Sequence, residues 1–172
     1  VGSRLVPVLA AIELLVFDAD GVLTPGNLLY GPQGEALKEF DTRDGLGLAL
    51  ARAAGLRRAV LTGRNSAIVR ARCTELRFDA IKIGRLDKEP ALHEILAETG
   101  CPAERTLYMG DDLVDLPAMQ LAGVAVGVPA MPAEMRRFCA FVTRAHGVRG
   151  AVREVVALVL KAGGRYGPAL AA

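Results

Sequence analysis

Ile12-Glu13-Leu14-Leu15-Val16-Phe17-Asp18-Ala19-Asp20-Gly21-Val22-Leu23-Thr24 is the stretch whose reading decides the fold. An unbroken apolar run, Leu14 to Phe17, stops at an acidic residue and a glycine turn. A short run without alternation reads as a strand buried on both faces, as in a parallel sheet. The same pattern recurs downstream. Arg58-Ala59-Val60-Leu61 stops at Thr62-Gly63, and Thr106-Leu107-Tyr108-Met109 stops at Gly110-Asp111-Asp112. Val124-Ala125-Val126 stops at Gly127, and Phe141-Val142 stops at Thr143-Arg144. Helical patterns follow most of these runs, near 44–54, 65–76, 88–99, 115–121, 133–138 and 149–161. Strand and helix in alternation predict an α/β fold: a three-layer, Rossmann-like, mostly parallel sheet with helices on both faces.

One stretch breaks the rhythm. Asn27-Leu28-Leu29-Tyr30, then Gly31-Pro32-Gln33-Gly34, then Glu35 to Phe40 reads as a β-hairpin with a glycine-rich turn. This hairpin (27–40), one helix and one strand fill the interval from Asp20 to Thr62, which leaves no room for a cap domain. Residues 1–172 are expected to form one domain. The glycine-bearing tail, 162–172, is expected to be mobile.

Composition narrows the function. The chain has 172 residues, 52% of them hydrophobic, which suits a sizeable core. Its 21 basic and 19 acidic residues give a net charge of +2, which points to neither nucleic acid nor a membrane surface as partner. Arg70, Arg72 and Arg77 lie close together, the pattern of a solvated helix face. Cys73, Cys101 and Cys139 show no Cys-x-x-Cys spacing, so reduced thiols in the cytoplasm are expected rather than a zinc site or disulfide framework. No signal peptide is read at the start, and no stretch approaches the roughly 20 apolar residues that span a bilayer.

In an open parallel sheet, ligands bind beyond the carboxyl ends of the strands. The polar residues ending these strands are Asp18 with Asp20, Thr62, and Asp111 with Asp112, and Lys88 opens a helix nearby. Carboxylates from two strands make a hard oxygen site of the kind magnesium prefers. Magnesium and Lys88 would offset the repulsion between a carboxylate nucleophile and a phosphate ester. Asp18 could then attack phosphorus and carry the phosphoryl group. Asp20 could protonate the leaving alcohol and later deprotonate water. Thr62 would donate to the phosphoryl oxygens, and Gly21 and Gly63 would let the backbone come close.

Each feature has a plainer reading. Asp-x-Asp-Gly after a strand is equally a capped turn, and Gly-Asp-Asp can be a helix N-cap. A lone lysine opening a helix is usually solvated. The fixed order of the set, at the sheet end where α/β sites lie, favours chemistry. His93 sits in an amphipathic helix pattern and His146 in a glycine-rich loop, and neither reads as a catalytic base. No serine or cysteine has a nucleophile-elbow context.

Asp18-Ala19-Asp20-Gly21-Val22-Leu23-Thr24, Leu61-Thr62-Gly63-Arg64, Lys88 and Gly110-Asp111-Asp112-Leu113-Val114-Asp115 resemble the motifs of the haloacid dehalogenase superfamily, in the order and spacing of a cap-less subgroup. Further stretches resemble that subgroup's 3-deoxy-D-manno-octulosonate 8-phosphate phosphatases. They are Gly34-Glu35-x-Leu37-Lys38-x-Phe40, Arg43-Asp44-Gly45-x-Gly47, Val142-Thr143-Arg144 and Gly150-Ala151-Val152-Arg153-Glu154. The likeness runs from Ile12 to Lys161. It implies a Mg2+-dependent phosphatase acting on a phosphorylated sugar acid in lipopolysaccharide precursor synthesis. Asp18, the backbone carbonyl of Asp20, and Asp111 would bind the metal, with Asp112 and Asp115 in support. Asp41, Thr42, Arg43, Asp44, Gly45, Gly63, Arg64, Arg72 and Lys88 would contact substrate. Arginine forks suit the sugar acid's carboxylate. The resemblance also implies a homotetramer in which the hairpin closes a neighbour's site, and a C-terminal tail that reaches an active site.

Two departures stand out. Asp41 takes the place of a common Asn, and His146-Gly147-Val148-Arg149-Gly150 lacks one glycine of a Gly-Gly-x-Gly pattern. Phosphatases of nonulosonate 9-phosphates share the subgroup stretches, so that substrate class stays open. A phospho-receiver domain also uses Asp, Thr and Lys at strand ends. Its acidic pair precedes the phospho-accepting Asp, however, and it has no acid two residues later. An inactive scaffold would need no such set, and a phosphomutase would need better exclusion of water.

Overall fold

The computed structural model describes residues 2–172. Six parallel strands form the central sheet in the order β5-β4-β1-β6-β7-β8. They are β1 (Leu14–Phe17), β4 (Arg57–Thr62), β5 (Ala80–Ile83), β6 (Thr106–Gly110), β7 (Val124–Gly127) and β8 (Phe141–Val142). β1 lies in the middle, with Phe17 in register with Val60 on one side and Met109 on the other. All four β1 residues are fully buried, as an apolar run between two helical layers requires. The chain builds outward through β4 and β5, then crosses to β6, β7 and β8. The strand order therefore reverses around β1, and the crevice lies beyond its carboxyl end.

The helices are α1 (Val6–Ala10), α2 (Thr42–Ala53), α3 (Ala67–Glu75), α4 (Lys88–Thr99), α5 (Leu116–Leu121), α6 (Ala151–Ala162) and α7 (Tyr166–Ala171). α6 is rich in β-branched residues, yet Val152, Val155, Val156, Val159 and Leu160 fall on one buried face. That spacing, rather than intrinsic propensity, makes it a helix. α6 lies across α2, where Gly47 allows the close approach: a Cβ there would sit 3.1 Å from Arg153 Cα. Ser66 caps α3 by accepting the Val69 N–H at 3.2 Å, and α4 ends at Gly100 in the left-handed conformation.

β2 (Leu29–Gly31) and β3 (Gly34–Leu37) form the expected antiparallel hairpin, separate from the main sheet. Between Asp20 and Thr62 lie only this hairpin, α2 and β4. Leu28, Leu29, Tyr30 and Leu37 on the hairpin are exposed.

Two expectations needed correction. The edge strand β5 was missed because Lys82 interrupts its short apolar run; Lys82 faces out and pairs with Glu94 and Glu98. The 133–138 segment is a 3-10 helix with only Met135 buried, too short to give a helix an apolar face. Within the tail, residues Tyr166–Ala171 form α7. Its Ala169 is buried, and Lys161 stacks on the Tyr166 ring at 5.1 Å.

Candidate active site

Asp18 follows directly on β1 and hydrogen-bonds across the sheet, its N–H donating to the Met109 carbonyl at 2.9 Å. Thr62 ends β4, and Asp111 follows β6. Parallel pairing in register thus brings three chain-distant residues to one end of the sheet. Lys88, the first residue of α4, reaches the same place with its whole side chain buried. Asp18, Asp20, Thr62, Lys88 and Asp111 line a cavity of about 420 Å³, together with Gly63 and Arg64.

Lys88 Nζ is the hub. It donates to Asp18 Oδ1 at 2.9 Å and to the Leu61 carbonyl at 2.8 Å, and lies 3.0 Å from Asp115 Oδ1. Burial works against its charge, but Asp18 and Asp115 outweigh that and hold its pKa above the usual lysine value. The carboxylates fare differently. Burial and the charge of Asp115 push Asp18 up to about 6, against the opposing pull of Lys88. Burial and the charges of Asp18 and Asp115 push Asp111 up to about 8. One ammonium does not neutralise three adjacent carboxylates, one oxygen of each lying within 4.8 Å of the others. The shortfall of two charges suits a divalent cation, and the all-oxygen donor set suits magnesium.

The three carboxylates are not equivalent. Asp115 is fully buried and its oxygens are taken. Oδ1 accepts from the Tyr108 hydroxyl at 2.8 Å, and Oδ2 from the N–H groups of Asp111 at 3.0 Å and Asp112 at 3.3 Å. It braces the loop, while Asp18 and Asp111 keep oxygens for a metal. Asp112 caps the short turn that follows, accepting from Leu113 N–H at 2.7 Å. The Asp20 side chain points to the hairpin side, where Lys38, Thr24 and Arg64 meet it.

The glycines close the site. A Cβ on Gly21 would sit 1.8 Å from Asp111 Oδ2, and Gly21 has φ +92°. A Cβ on Gly147 would sit 1.7 Å from the Gly21 carbonyl oxygen, so the 146–150 loop is pressed against the turn after Asp18. Val148, at the position of the missing glycine, has φ +56°, and its N–H donates to the Val22 carbonyl at 3.0 Å.

Six residues expected to touch substrate lie outside this cavity: Asp41, Thr42, Arg43, Asp44, Gly45 and Arg72. They gather instead around the N-terminus of α2. Asp41 caps α2, accepting from Arg43 N–H at 2.7 Å and pairing with the Arg43 guanidinium. Asp44 is buried and accepts from Arg153 N–H at 2.8 Å; burial raises its pKa despite that bond. Gly45 faces the Arg72 guanidinium, which pairs with Glu75 and lies over Phe40. His93 and His146 are exposed.

Sequence reasoning missed Tyr108, Lys38, Glu35 and Ser66. A tyrosine inside an aliphatic strand, two residues before the strand's final glycine, was the available signal for the first. The others act through contacts between segments far apart in the chain.

No protein-family model matches the chain. A 3-deoxy-D-manno-octulosonate 8-phosphate phosphatase of Haemophilus influenzae is 40% identical over 154 residues, spanning 90% of this chain and 86% of that protein. The chain belongs to the 3-deoxy-D-manno-octulosonate 8-phosphate phosphatase family. The Yersinia pestis member is also 40% identical, over 89% of this chain and 82% of that protein. The solved structure of the Moraxella catarrhalis phosphatase, in complex with magnesium ion, phosphate ion and a KDO molecule, superposes with a TM-score of 0.93 at 36% identity, covering 98% of this chain and 97% of that one. A cobalt-bound Haemophilus influenzae structure gives 0.92 at 37% identity, covering 96% and 99%. A Legionella pneumophila structure described as a haloacid dehalogenase superfamily hydrolase gives 0.94 at 34% identity, covering 98% and 92%. Family membership makes the chain a phosphatase of phosphate monoesters. Among the described residues no helix is long and apolar enough to cross a membrane.

Proposed function

We propose that the chain hydrolyses 3-deoxy-D-manno-octulosonate 8-phosphate through an aspartyl-phosphate on Asp18. The observation that carries this reading is the convergence of Asp18, Thr62, Lys88 and Asp111 on one cavity. Relatives bearing that activity's name are 40% identical over most of the chain.

Asp18, Asp111 and the backbone carbonyl of Asp20 would hold magnesium. When bound, it supplies positive charge against the phosphoryl oxygens. Lys88 holds Asp18 by one oxygen and adds a second positive charge. An Asp18 oxygen bonds to phosphorus as the bond to the leaving sugar oxygen breaks, and Asp20 gives that oxygen its proton. Asp20 then takes a proton from water as the water oxygen attacks phosphorus and the bond to Asp18 breaks. Thr62 and the backbone at Gly63 receive the phosphoryl oxygens, and Asp112 and Asp115 hold the Asp111 loop.

Arg64 is the cavity's exposed cation and the candidate partner for the sugar acid's carboxylate. Arg72 and the Asp41–Gly45 turn would join it only in an assembly of several copies. The exposed apolar hairpin residues Leu28, Leu29, Tyr30 and Leu37 support such an assembly, a homotetramer with each hairpin closing a neighbour's site. A cytoplasmic setting fits the three free cysteines.

The test is phosphate release by purified protein with magnesium, comparing octulosonate 8-phosphate, nonulosonate 9-phosphates and hexose phosphates by kcat/KM. Octulosonate 8-phosphate is expected to lead, and Asp18→Asn to abolish turnover. A preference for hexose phosphates would sink the substrate assignment while leaving the chemistry standing.

A further inference from the structure

Asp20 is held by two cations of different kinds. Lys38 Nζ binds Oδ1, and Arg64 Nε lies 3.3 Å from Oδ2. The Lys38 side chain is 1% exposed, whereas that of Arg64 is 39% exposed. A buried ammonium is costly unless paired, and Lys38 has two carboxylate partners, Asp20 and Glu35, the latter at 3.2 Å. Glu35 is anchored in turn, because its other carboxylate oxygen accepts from the Ser66 hydroxyl. Ser66 caps α3, which begins just beyond Thr62-Gly63-Arg64. The end of the hairpin is thus fastened to Asp20 on one side and to the loop after β4 on the other. The Thr24 hydroxyl adds a second donor to Asp20 Oδ1, at 3.1 Å.

We infer that Lys38 is a positioning residue for Asp20. It keeps Oδ1 turned toward the hairpin, so that Oδ2 faces the cavity once the exposed Arg64 moves onto an incoming anionic ester. The inference rests on the phosphatase reading above and gives the hairpin a task within its own chain. The step served is proton delivery: the phosphorus–oxygen bond to the leaving alcohol breaks, the Asp18–phosphorus bond forms, and the Asp20 proton ends on the alcohol oxygen. An alkoxide needs that proton to leave, whereas a nitrophenolate leaves without it.

That difference supplies the experiment. Single-turnover release of glycerol from glycerol phosphate and of 4-nitrophenol from 4-nitrophenyl phosphate is measured for the intact chain with magnesium. The comparison covers wild type, Lys38→Met and Lys38→Arg. Lys38→Met is expected to slow the alkyl ester about 100-fold while changing the aryl ester less than about threefold, the size of a lost general-acid contribution. Lys38→Arg should recover most of the alkyl rate. The ratio of the two rates does not depend on how much of the variant folds, so a loss of stability does not blur the result. An unchanged ratio overturns the inference and leaves the phosphatase reading intact. A wild-type chain that releases phosphate from neither ester nor from octulosonate 8-phosphate overturns both.

Discussion

The Tyr108 hydroxyl donates to Asp115 Oδ1 at 2.8 Å in a place where neither side chain meets solvent. The same oxygen lies 3.0 Å from Lys88 Nζ, which in turn holds Asp18. Burial and the charges of Asp115 and Asp18 keep the phenol protonated, so it always donates. Tyr108→Phe removes one buried hydrogen bond and little volume. It should cost about 1 kcal/mol of stability and lower kcat about tenfold, since Lys88 and Asp115 lose a partner that fixes them. KM should stay put, because Tyr108 does not line the cavity. Steady-state kinetics with a denaturant melt checks both. A raised KM with unchanged kcat would count against this role.

Gly21 tests the closeness of the site in a different way. Alanine there would place its Cβ 1.8 Å from Asp111 Oδ2 and would also hold φ at +92°. Displacing a reacting group by about 1 Å costs on the order of 100-fold in rate, so Gly21→Ala should lose at least that much kcat/KM. Gly55→Ala is the control. Gly55 has φ +78° with nothing within 4 Å of the added carbon, and it lies before β4, whose far end carries Thr62. It should lose about 1 kcal/mol of stability and keep its kcat.

These two predictions mark where the sequence was legible. The apolar runs ending at Asp18, Thr62 and Asp111 gave the sheet and the cavity, because strand ends in a parallel sheet converge by geometry alone. Lys88 could be read too, since it opens a helix on the same side. β5 could not, because Lys82 on an edge strand breaks the apolar run. Nor could Tyr108, Lys38 or Glu35, whose roles depend on side chains meeting across long stretches of chain. Asp44 shows another limit. Its place in a recognisable stretch reads as a substrate contact, and nothing in that stretch tells that the fold buries it with its carboxylate accepting from the Arg153 N–H in the first turn of α6.

Charge in the site sets a pH dependence with a definite sign. Asp18 is pushed up to about 6 and Asp111 up to about 8, against an ordinary value of 3.8. The folded chain therefore holds protons that the unfolded chain releases above about pH 4. The metal-free protein should lose stability as pH rises from about 4 to about 8, the window of those two groups. Magnesium binds the deprotonated carboxylates, so its stabilising effect should grow over the same window. Melting temperatures at several pH values, with EDTA and with magnesium, measure both trends. A magnesium-induced shift that shrinks with rising pH would contradict the assignment of Asp18 and Asp111 as its ligands.

Val148 offers a prediction that reverses an ordinary rule. Its φ of +56° is one that β-branched residues rarely adopt, and its side chain is 2% exposed. The strain costs about 1–2 kcal/mol, while burying a valine contributes about 1.5–3 kcal/mol. Val148→Gly loses the burial but relieves the strain, and should destabilise by about 1 kcal/mol. Val148→Ala loses burial and keeps the strained conformation, so it should be less stable than the glycine variant by about 1 kcal/mol. At most positions alanine is the more stable of the two. Denaturant melts of both variants decide it. If alanine proves the more stable, residue 148 is not held in the left-handed conformation in solution. The hydrogen bond from its N–H to the Val22 carbonyl, which ties the 146–150 loop to the turn after Asp18, would then need another geometry.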